Sequence, residues 1–212
     1  MEKVKRTPGR SYGQFCALAR ALDVVGDRWN LLIVRELLPG PLRYNELKSF
    51  LAGIATNLLA ERLRSLEGHG IVERRLGDAG VLYALTPWGA GLREPMEALG
   101  RWGAPLMTTG RGGDSFQPRW LVLALPALLP GATATPAVEL GFEVDGFLIV
   151  LHIDENGPRA VAEPDRRPET VLTAAPEVVV GLATGALTVD QAVAAGGIRG
   201  DAEVLRRAFP AR

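Results

Sequence analysis

The chemically reactive side chains of this sequence are few. Cys16 is the one cysteine in 212 residues, and His69 and His152 are the two histidines. A single thiol excludes a disulfide within the chain, and one thiol with two distant imidazoles matches no metal-ligand spacing. The sequence also contains no glycine-rich phosphate loop and no nucleophile elbow. We therefore expect no metal and no cofactor, and we expect the protein not to be an enzyme.

Cys16 can be interpreted in two ways. It lies in the first two turns of a predicted helix, where the positive helix end lowers a thiol pKa and favours reaction with oxidants or electrophiles. It also borders an apolar stripe, and an unpaired cysteine is commonly a small buried hydrophobe. Cys16 is therefore either a candidate redox sensor or a packing residue. His69 follows another predicted helix, and we expect it to cap that helix end.

A second chemically competent set lies on a helix predicted over 56–67. Leucines 58, 59, 63 and 66 form its apolar stripe, which leaves the other face free for contacts. That face carries Thr56, Asn57, Ala60, Glu61 and Arg64. Asparagine and arginine make bidentate contacts to adenine and guanine edges in the major groove, and a helix N-terminus suits a phosphate. The residue types and their spacing therefore favour contact with double-stranded DNA.

Four further arginines surround this helix and are candidate phosphate contacts: Arg43, Arg62, Arg74 and Arg75. For Arg62 a second interpretation is equally open, an ion pair with a neighbouring acid. The charge distribution agrees with a DNA contact in this part of the chain, although the net charge of the whole is zero. Residues 1–110 hold 15 basic against 11 acidic residues, and residues 111–212 hold 9 against 13. Phosphates require local positive charge, so the first half is the one expected to meet DNA.

The elements that must position these residues follow from periodicity and turn signals. The Ser11–Gln14 spacing predicts a capping box that opens a helix with Phe15, Leu18, Ala19, Leu22 and Val25 apolar. Asp27 is predicted to cap the next helix, and a short helix is expected over 43–51. After the helix at 56–67, strands at 71–76 and 81–85 flank a turn, and one helix of about 20 residues then ends near Met107. This order is that of a winged helix-turn-helix, with a hairpin as the wing.

The second half of the chain has a different character. The glycine-rich segment 108–115 predicts a linker, followed by a helix over 118–129. Antiparallel strands are predicted at 138–144, 147–153 and 158–163, because Asp145-Gly146 and Asn156-Gly157 are turn pairs. A short strand at 171–173 and helices at 176–183, 188–196 and 202–209 complete it. Strand 147–153 is apolar on both faces, so we expect the sheet either to be covered by helices or to enclose something. The fold class predicted for the whole chain is α+β.

Several motifs of the first half occur together, and in this order they resemble the HxlR-type (DUF24) regulators, a branch of the MarR-like winged helices. They are CALARALDVVGDRW (16–29), LLIVREL (31–37), RYNEL (43–47), GI (53–54), LAERL (59–63), LEGHGIVERR (66–75) and YALT (83–86). The resemblance implies a homodimer, built from the N-terminal helix and the helix after the wing, on a two-fold pseudo-palindromic operator. It also implies a sensing role for a cysteine placed as Cys16 is. The sequence departs from the family pattern at two places. Ala55 replaces the usual capping serine, so Thr56 is expected to cap the helix instead. The wing is also short and has no basic residue at its tip.

The tail LATGALTVDQAVAAGGIRGD (182–201) is similar to the end of sterol-carrier-protein-like domains. That resemblance implies a five-stranded sheet covered by helices and an apolar cavity that binds a small apolar effector. The residues expected to line it are Trp120, Leu123, Phe142, Phe147, Ile149 and Leu151. The alternative, equally open, is that these six side chains simply fill a core.

Together these inferences predict a ligand-modulated transcription regulator. Its winged helix-turn-helix and dimerisation domain would span 1–108, and its effector domain 118–212. A lipid or small-molecule carrier whose first domain only dimerises is the main alternative, and an enzyme in the second domain a weaker one. The charged N-terminus leads into no apolar segment, and no apolar run reaches the roughly 20 residues that a membrane span needs. We expect a cytoplasmic protein without a membrane partner.

Overall fold

The computed structural model describes residues 11–77, 80–107, 112–162 and 164–210. The chain divides into two compact units, Met1–Met96 and Glu97–Arg212. Within the described ranges no helix is both long and apolar enough to cross a membrane. Parts of three predictions lie outside the described residues, namely 78–79 in the wing turn, 108–111 in the linker and 163 at a strand end.

The first half has the predicted order of elements. The helices are α1 (Ala17–Val25), α2 (Asn30–Leu37), α3 (Tyr44–Phe50), α4 (Thr56–Gly68), α5 (Pro87–Ala90) and α6 (Arg93–Gly103), with a 3-10 turn at Ala104–Met107. The strands are β1 (Val72–Gly77) and β2 (Gly80–Leu85), which pair antiparallel. Leu42 adds a bridge to Tyr83, which attaches the wing to the chain just before α3. The predicted helix-turn-helix and hairpin are confirmed.

Hydrophobic spacing explains why these helices pack as they do. Leu59, Leu63 and Leu66 recur at helical spacing on α4 and are all buried. They share the interior of the first unit with residues of α2, α3 and the wing, including Ile33, Val34, Leu37, Leu47, Leu51, Ile54, Ile71, Val72 and Ala84. Leu58, predicted to belong to the stripe, is only half-buried.

Both predicted caps at the start of the chain are wrong. Ser11 does not cap α1, because its hydroxyl donates to Asp23 at 2.9 Å and the N-cap residue is Cys16. Asp27 does not cap α2, because its carboxylate pairs with Arg62 instead. The backbone carbonyl of Asp27 accepts from Asn30 N–H at 3.1 Å, so the residues form a turn before the helix begins. The two polar side chains that local patterns predicted to be caps therefore bind partners more distant in the sequence.

The single long helix predicted after the wing is also wrong, since it is broken between α5 and α6. It starts as predicted, with Thr86 Oγ1 accepting from Gly89 N–H at 3.0 Å. Glycines follow within a turn, and a glycine backbone resists continued helix. Gly89 is required by packing, because a Cβ there would lie 2.1 Å from the carbonyl oxygen of Ile71. Of the apolar side chains along this segment, Met96 is buried, whereas Trp88, Leu99 and Trp102 are exposed.

The second half forms a mixed sheet with helices. A 3-10 turn (Pro118–Trp120) leads into α7 (Leu121–Leu128), and α8 (Pro176–Thr184), α9 (Val189–Ala195) and α10 (Ala202–Ala208) follow the main strands. The strands are β3 (Val138–Val144), β4 (Phe147–Asp154), β5 (Gly157–Ala162), β6 (Val171–Thr173) and β7 (Gly197–Arg199). Their order is β5-β4-β3-β6-β7, and only the β3–β6 pair is parallel.

Turn chemistry sets the register of the three central strands. Asp145 and Gly146 have φ values of +50° and +78° and join Val144 directly to Phe147, which is the geometry of a type I′ hairpin turn. Thr188 and Gln191 form a capping box at the start of α9. The mixed α+β class is confirmed, as are the predicted strands, to within a residue or two at their ends.

Among the residues that the structure describes, helices cover one face of the sheet only. There α7 and α10 contact the strands, and a single core contains side chains of α8 together with Leu140, Phe142, Ile149 and Leu151. The opposite face carries a smaller cluster of Leu148, Val150 and Val171. The segment before β6 lies over that face: Pro168 packs close to Gly141, and Arg166 pairs with Glu139 at 2.8 Å. This short loop therefore covers the narrower apolar strip that the helices leave uncovered.

Candidate nucleic-acid interface

The start of α4 is held by α3 across a tight turn. Gly53 has a φ of +89°, a conformation that favours glycine, and Ile54 is buried beneath it. The Tyr44 hydroxyl donates to the carbonyl of Thr56 at 2.6 Å, and Lys48 Nζ donates to the carbonyl of Ile54. These contacts fix the angle at which α4 leaves the turn.

The N-terminus of α4 has no side-chain cap. Its N-cap residue is Ala55, and Thr56 is the first helical residue, so the predicted capping by Thr56 is wrong. The Asn57 side chain accepts from the N–H of Leu58 at 3.0 Å. A helix that begins without a capping side chain presents backbone N–H groups and a positive dipole end, both of which suit an anion.

The predicted contact residues lie on one exposed face of α4. Thr56, Asn57, Glu61 and Arg64 are exposed and Ala60 is half-buried. Arg64 Nε donates to the carbonyl of Ala60 at 3.2 Å, so the guanidinium lies back along the helix surface. The burial of the leucines on the opposite face of the helix leaves this polar strip for solvent or for a ligand.

Arg62 is not part of that strip. Its guanidinium pairs with Asp27, lies 3.4 Å from Glu61, and its side chain is only 17% exposed. Of the two interpretations left open by the sequence, the ion pair is the one that the structure contains.

The wing arginines are also paired with acids. Arg74 makes a bidentate contact with Glu67 at 2.6 and 2.8 Å and lies over the ring of Tyr83. Hydrogen bonding to Glu67, with its charge, raises the pKa of Arg74 further above its ordinary value. Arg75 pairs with Glu73 at 2.6 Å. Arg74 thus ties the wing to the last turn of α4, and both side chains remain about half exposed.

Arg43 and Arg64 differ from the other arginines of this surface. Within the described ranges neither has a carboxylate partner, and both are exposed. Arg43 is the N-cap residue of α3, where its backbone N–H donates to Glu46 at 2.6 Å and leaves the guanidinium available.

Three positioning residues were missed by sequence reasoning: Asp27, Tyr44 and Lys48. Tyr44 and Lys48 reach backbone carbonyls, and Asp27 pairs with a residue 35 positions away. Neither a hydrogen bond to a backbone carbonyl nor an ion pair between distant residues produces a periodic or local pattern in the sequence. His69, in contrast, was predicted correctly: it is the C-cap residue of α4, and its Nδ1 lies 2.8 Å from the carbonyl of Ser65.

Cys16 is exposed at the N-cap position of α1. Hydrogen bonds from the backbone N–H groups of Ala19 and Leu18 lower the pKa of its thiol. The packing interpretation is therefore wrong for the single chain. No group of three or more potential metal ligands occurs among the residues that the structure describes.

In the second half, the six predicted ligand-lining residues fall into two sets. Phe142, Ile149 and Leu151 are fully buried in the main core. Trp120, Leu123 and Phe147 are half-buried, and Trp120 packs edge-on against Phe116 with ring centroids 5.9 Å apart.

A groove of about 530 Å³ lies elsewhere in this unit, between the ends of α7 and α10 and the α8–α9 connection. Leu129, Leu182 and Phe209 line it, with the paired Asp190 and Arg206 also at its wall. None of the six predicted residues lines this groove.

Comparison with known proteins places this architecture in a family. The family model described as HxlR-like helix-turn-helix matches residues 24–110. The HTH-type transcriptional regulator YodB of Bacillus subtilis is 36% identical over 85 residues, which are 39% of this chain and 76% of the relative. The uncharacterized HTH-type transcriptional regulator sll1512 of Synechocystis is 31% identical over 107 residues, 49% of this chain and 79% of the relative.

Among solved structures, quinone-bound YodB from B. subtilis shares 35% identity over 42% of this chain and 96% of that one, with a TM-score of 0.38. The helix-turn-helix, its wing and the sequence matches define a protein of the winged helix-turn-helix class. The chain belongs to the HxlR-like helix-turn-helix family. The family match ends at residue 110 and does not include the sheet of the second half.

Proposed function

We propose that this protein is a DNA-binding transcription regulator that acts as a homodimer on a pseudo-palindromic operator. The exposed polar face of α4 carries the proposal, because Asn57, Glu61 and Arg64 recur along one side of a helix whose opposite side is buried. A helix of this kind fits the major groove, where asparagine and arginine read adenine and guanine. In this arrangement Thr56 at the helix start and Arg43 on α3 contact phosphates.

Exposed apolar side chains support the dimer. Phe15 and Leu18 in and just before α1 are exposed, and so are Leu99, Trp102 and Leu106 in and just after α6. Large apolar groups left in water favour a surface that a second copy covers. The relatives are helix-turn-helix regulators, and two copies of α4 related by a two-fold axis would read two half-sites.

The test is sequence-specific binding to DNA from upstream of the protein's own gene. Fluorescence anisotropy at physiological salt should give a specific dissociation constant at least a thousandfold tighter than that for a scrambled duplex. Equal affinity for both duplexes would overturn the proposal.

We further propose that the second half binds a small apolar effector that modulates DNA affinity. The groove supports a small ligand, since its volume falls in the range of small-molecule pockets and its lining combines apolar side chains such as Leu129 and Phe209 with polar ones. The six residues named from the sequence remain a second candidate location, with Trp120, Leu123 and Phe147 as its accessible part. Native mass spectrometry of the freshly purified protein should detect a bound small molecule, and its addition should shift operator affinity. A bound lipid without any effect on DNA binding would favour the carrier alternative.

A further inference from the structure

The turn between α1 and α2 is strained. Trp29 has a φ of +84°, and the Asp27 carbonyl accepts from Asn30 N–H at 3.1 Å across the turn. Glycine is the residue preferred at a turn position with positive φ, and a bulky side chain there is an outlier. Such a conformation persists only where surrounding contacts offset its energetic cost.

Those contacts come from two directions. Asn30 is 1% exposed, and its Nδ2 donates to the carbonyl of Val24 at 3.1 Å, which closes the end of α1. From α4, the guanidinium of Arg62 pairs with the Asp27 carboxylate. The turn therefore joins the end of α1 to the middle of α4.

Three anchors consequently hold α4 along its length. Tyr44 binds the carbonyl of Thr56 at the first turn, and Arg74 binds Glu67 at the last. The Asp27–Arg62 pair lies between them. Two end anchors fix the position of a helix, and a contact at its middle from a different element also fixes its rotation about its axis.

We infer that Arg62 is a positioning residue, which with Asp27 sets the rotation of α4, and that it does not neutralise a DNA phosphate. If Arg62 turned toward a phosphate, Asp27 would be left as an uncompensated carboxylate beside the DNA backbone. Because specific contacts tolerate displacements of only about 0.5 Å, a small rotation of α4 would misplace Asn57 and Arg64 together. The inference rests on the proposed DNA-binding function.

The two possible roles of Arg62 predict opposite results for Asp27→Asn. If Arg62 neutralises a phosphate, removing a nearby negative charge should tighten DNA binding, and Arg62→Gln should reduce the slope of log K against log salt by about 1. If the pair positions α4, Asp27→Asn and Arg62→Gln should both weaken specific binding, by about tenfold, without changing that slope.

The experiment measures the affinity of full-length variants for operator and scrambled duplexes at four salt concentrations. Both single variants should lose operator affinity yet keep scrambled-duplex affinity, which a folding defect would not allow. The double variant Asp27→Arg with Arg62→Asp should bind the operator at least threefold more tightly than the single variant that binds it more weakly. Glu177 is an exposed carboxylate on α8. The control variant Glu177→Gln removes one negative charge, as Asp27→Asn does, and should bind the operator like the wild type.

Tighter operator binding by Asp27→Asn, or a lower salt slope for Arg62→Gln, would overturn the inference. Failure of the wild type to prefer its operator would instead refute the proposed function, so the two failures are distinguishable.

Discussion

The two halves of the chain place their polar groups differently. In the first half, ion pairs hold α4 to its neighbours: Arg62 joins it to Asp27 in the turn before α2, and Arg74 of the wing joins Glu67 in its last turn. In the second half, one core of buried aliphatic and aromatic residues holds the sheet to its helices, and ion pairs such as Arg166–Glu139 lie on the surface. The first half is thus organised around the orientation of one helix and the second around the interior of a sheet.

This difference indicates where function is sensitive to substitution. Removal of a charge from the first half should alter the geometry of α4 more than the stability of the fold, because ion pairs with a partly exposed member, such as Asp27 or Arg74, contribute little to folding. An apolar group removed from the second half should alter stability more than DNA binding.

The largest effect is expected for Phe142→Ala, which tests whether the second half depends on its apolar core. Phe142 is fully buried in β3 and packs edge-on against Phe209, with ring centroids 6.0 Å apart. Loss of the ring should destabilise the second half by about 3–5 kcal/mol. Chemical denaturation with far-UV circular dichroism checks this, and Val161→Ala, a truncation at a partly exposed site of the same sheet, should cost far less. Operator affinity that fell as steeply as stability would show that the halves do not differ as described.

The next largest effect is expected for Trp102→Glu. Trp102 is 76% exposed on α6, and a carboxylate there would be buried without a partner if a second copy covers this surface. Sedimentation velocity should detect a monomer, and operator affinity should fall by about a hundredfold because the second half-site is no longer engaged. The matched control Val161→Glu should leave the dimer intact. A dimeric Trp102→Glu protein would place the interface elsewhere.

A smaller and more selective effect is expected for Arg64→Ala. Arg64 is exposed and has no acidic partner within the described ranges, so its removal should cost about 1–3 kcal/mol of operator binding if it reads a base. Footprinting and a mutated-operator series should show relaxed specificity at one base pair in each half-site. Arg159→Ala, a surface arginine of β5, provides the control. An unchanged footprint would remove Arg64 from the interface.

Much of this organisation could be predicted from the sequence because it depends on local signals. The leucine spacing of α4 predicted its buried face. The Asp145-Gly146 pair predicted the first hairpin turn of the second half, and Asn156-Gly157 predicted the second to within one residue, since its turn residues are Glu155 and Asn156. The polar strip of Asn57, Glu61 and Arg64 followed directly from the position of the leucines.

Several of the incorrect predictions share one physical cause, which is competition from partners that are distant in the sequence. Ser11 and Asp27 have the side chains of helix caps, but Asp23 and Arg62 bind them instead. The break after α5 depends on the approach of Gly89 to the Ile71 backbone, which no helical period reveals. The groove at the end of α10 is likewise formed by three separated segments, whereas three of the residues singled out from the sequence, Phe142, Ile149 and Leu151, fill the core.

The smallest expected effect concerns Cys16, which tests whether the first half also senses reactive molecules. Backbone N–H groups of Ala19 and Leu18 stabilise the thiolate and lower its pKa, so the thiolate fraction at neutral pH exceeds that of an ordinary cysteine. The rate of alkylation by iodoacetamide should therefore rise with pH around a midpoint below the usual value of about 8.5. The urea-unfolded protein, which lacks these hydrogen bonds, should give the ordinary midpoint and is the control. A folded-state midpoint at or above that of the unfolded chain would argue against Cys16 as a sensor. A lowered midpoint together with weaker operator binding after alkylation would connect the thiol at the start of α1 to the DNA-reading face of α4.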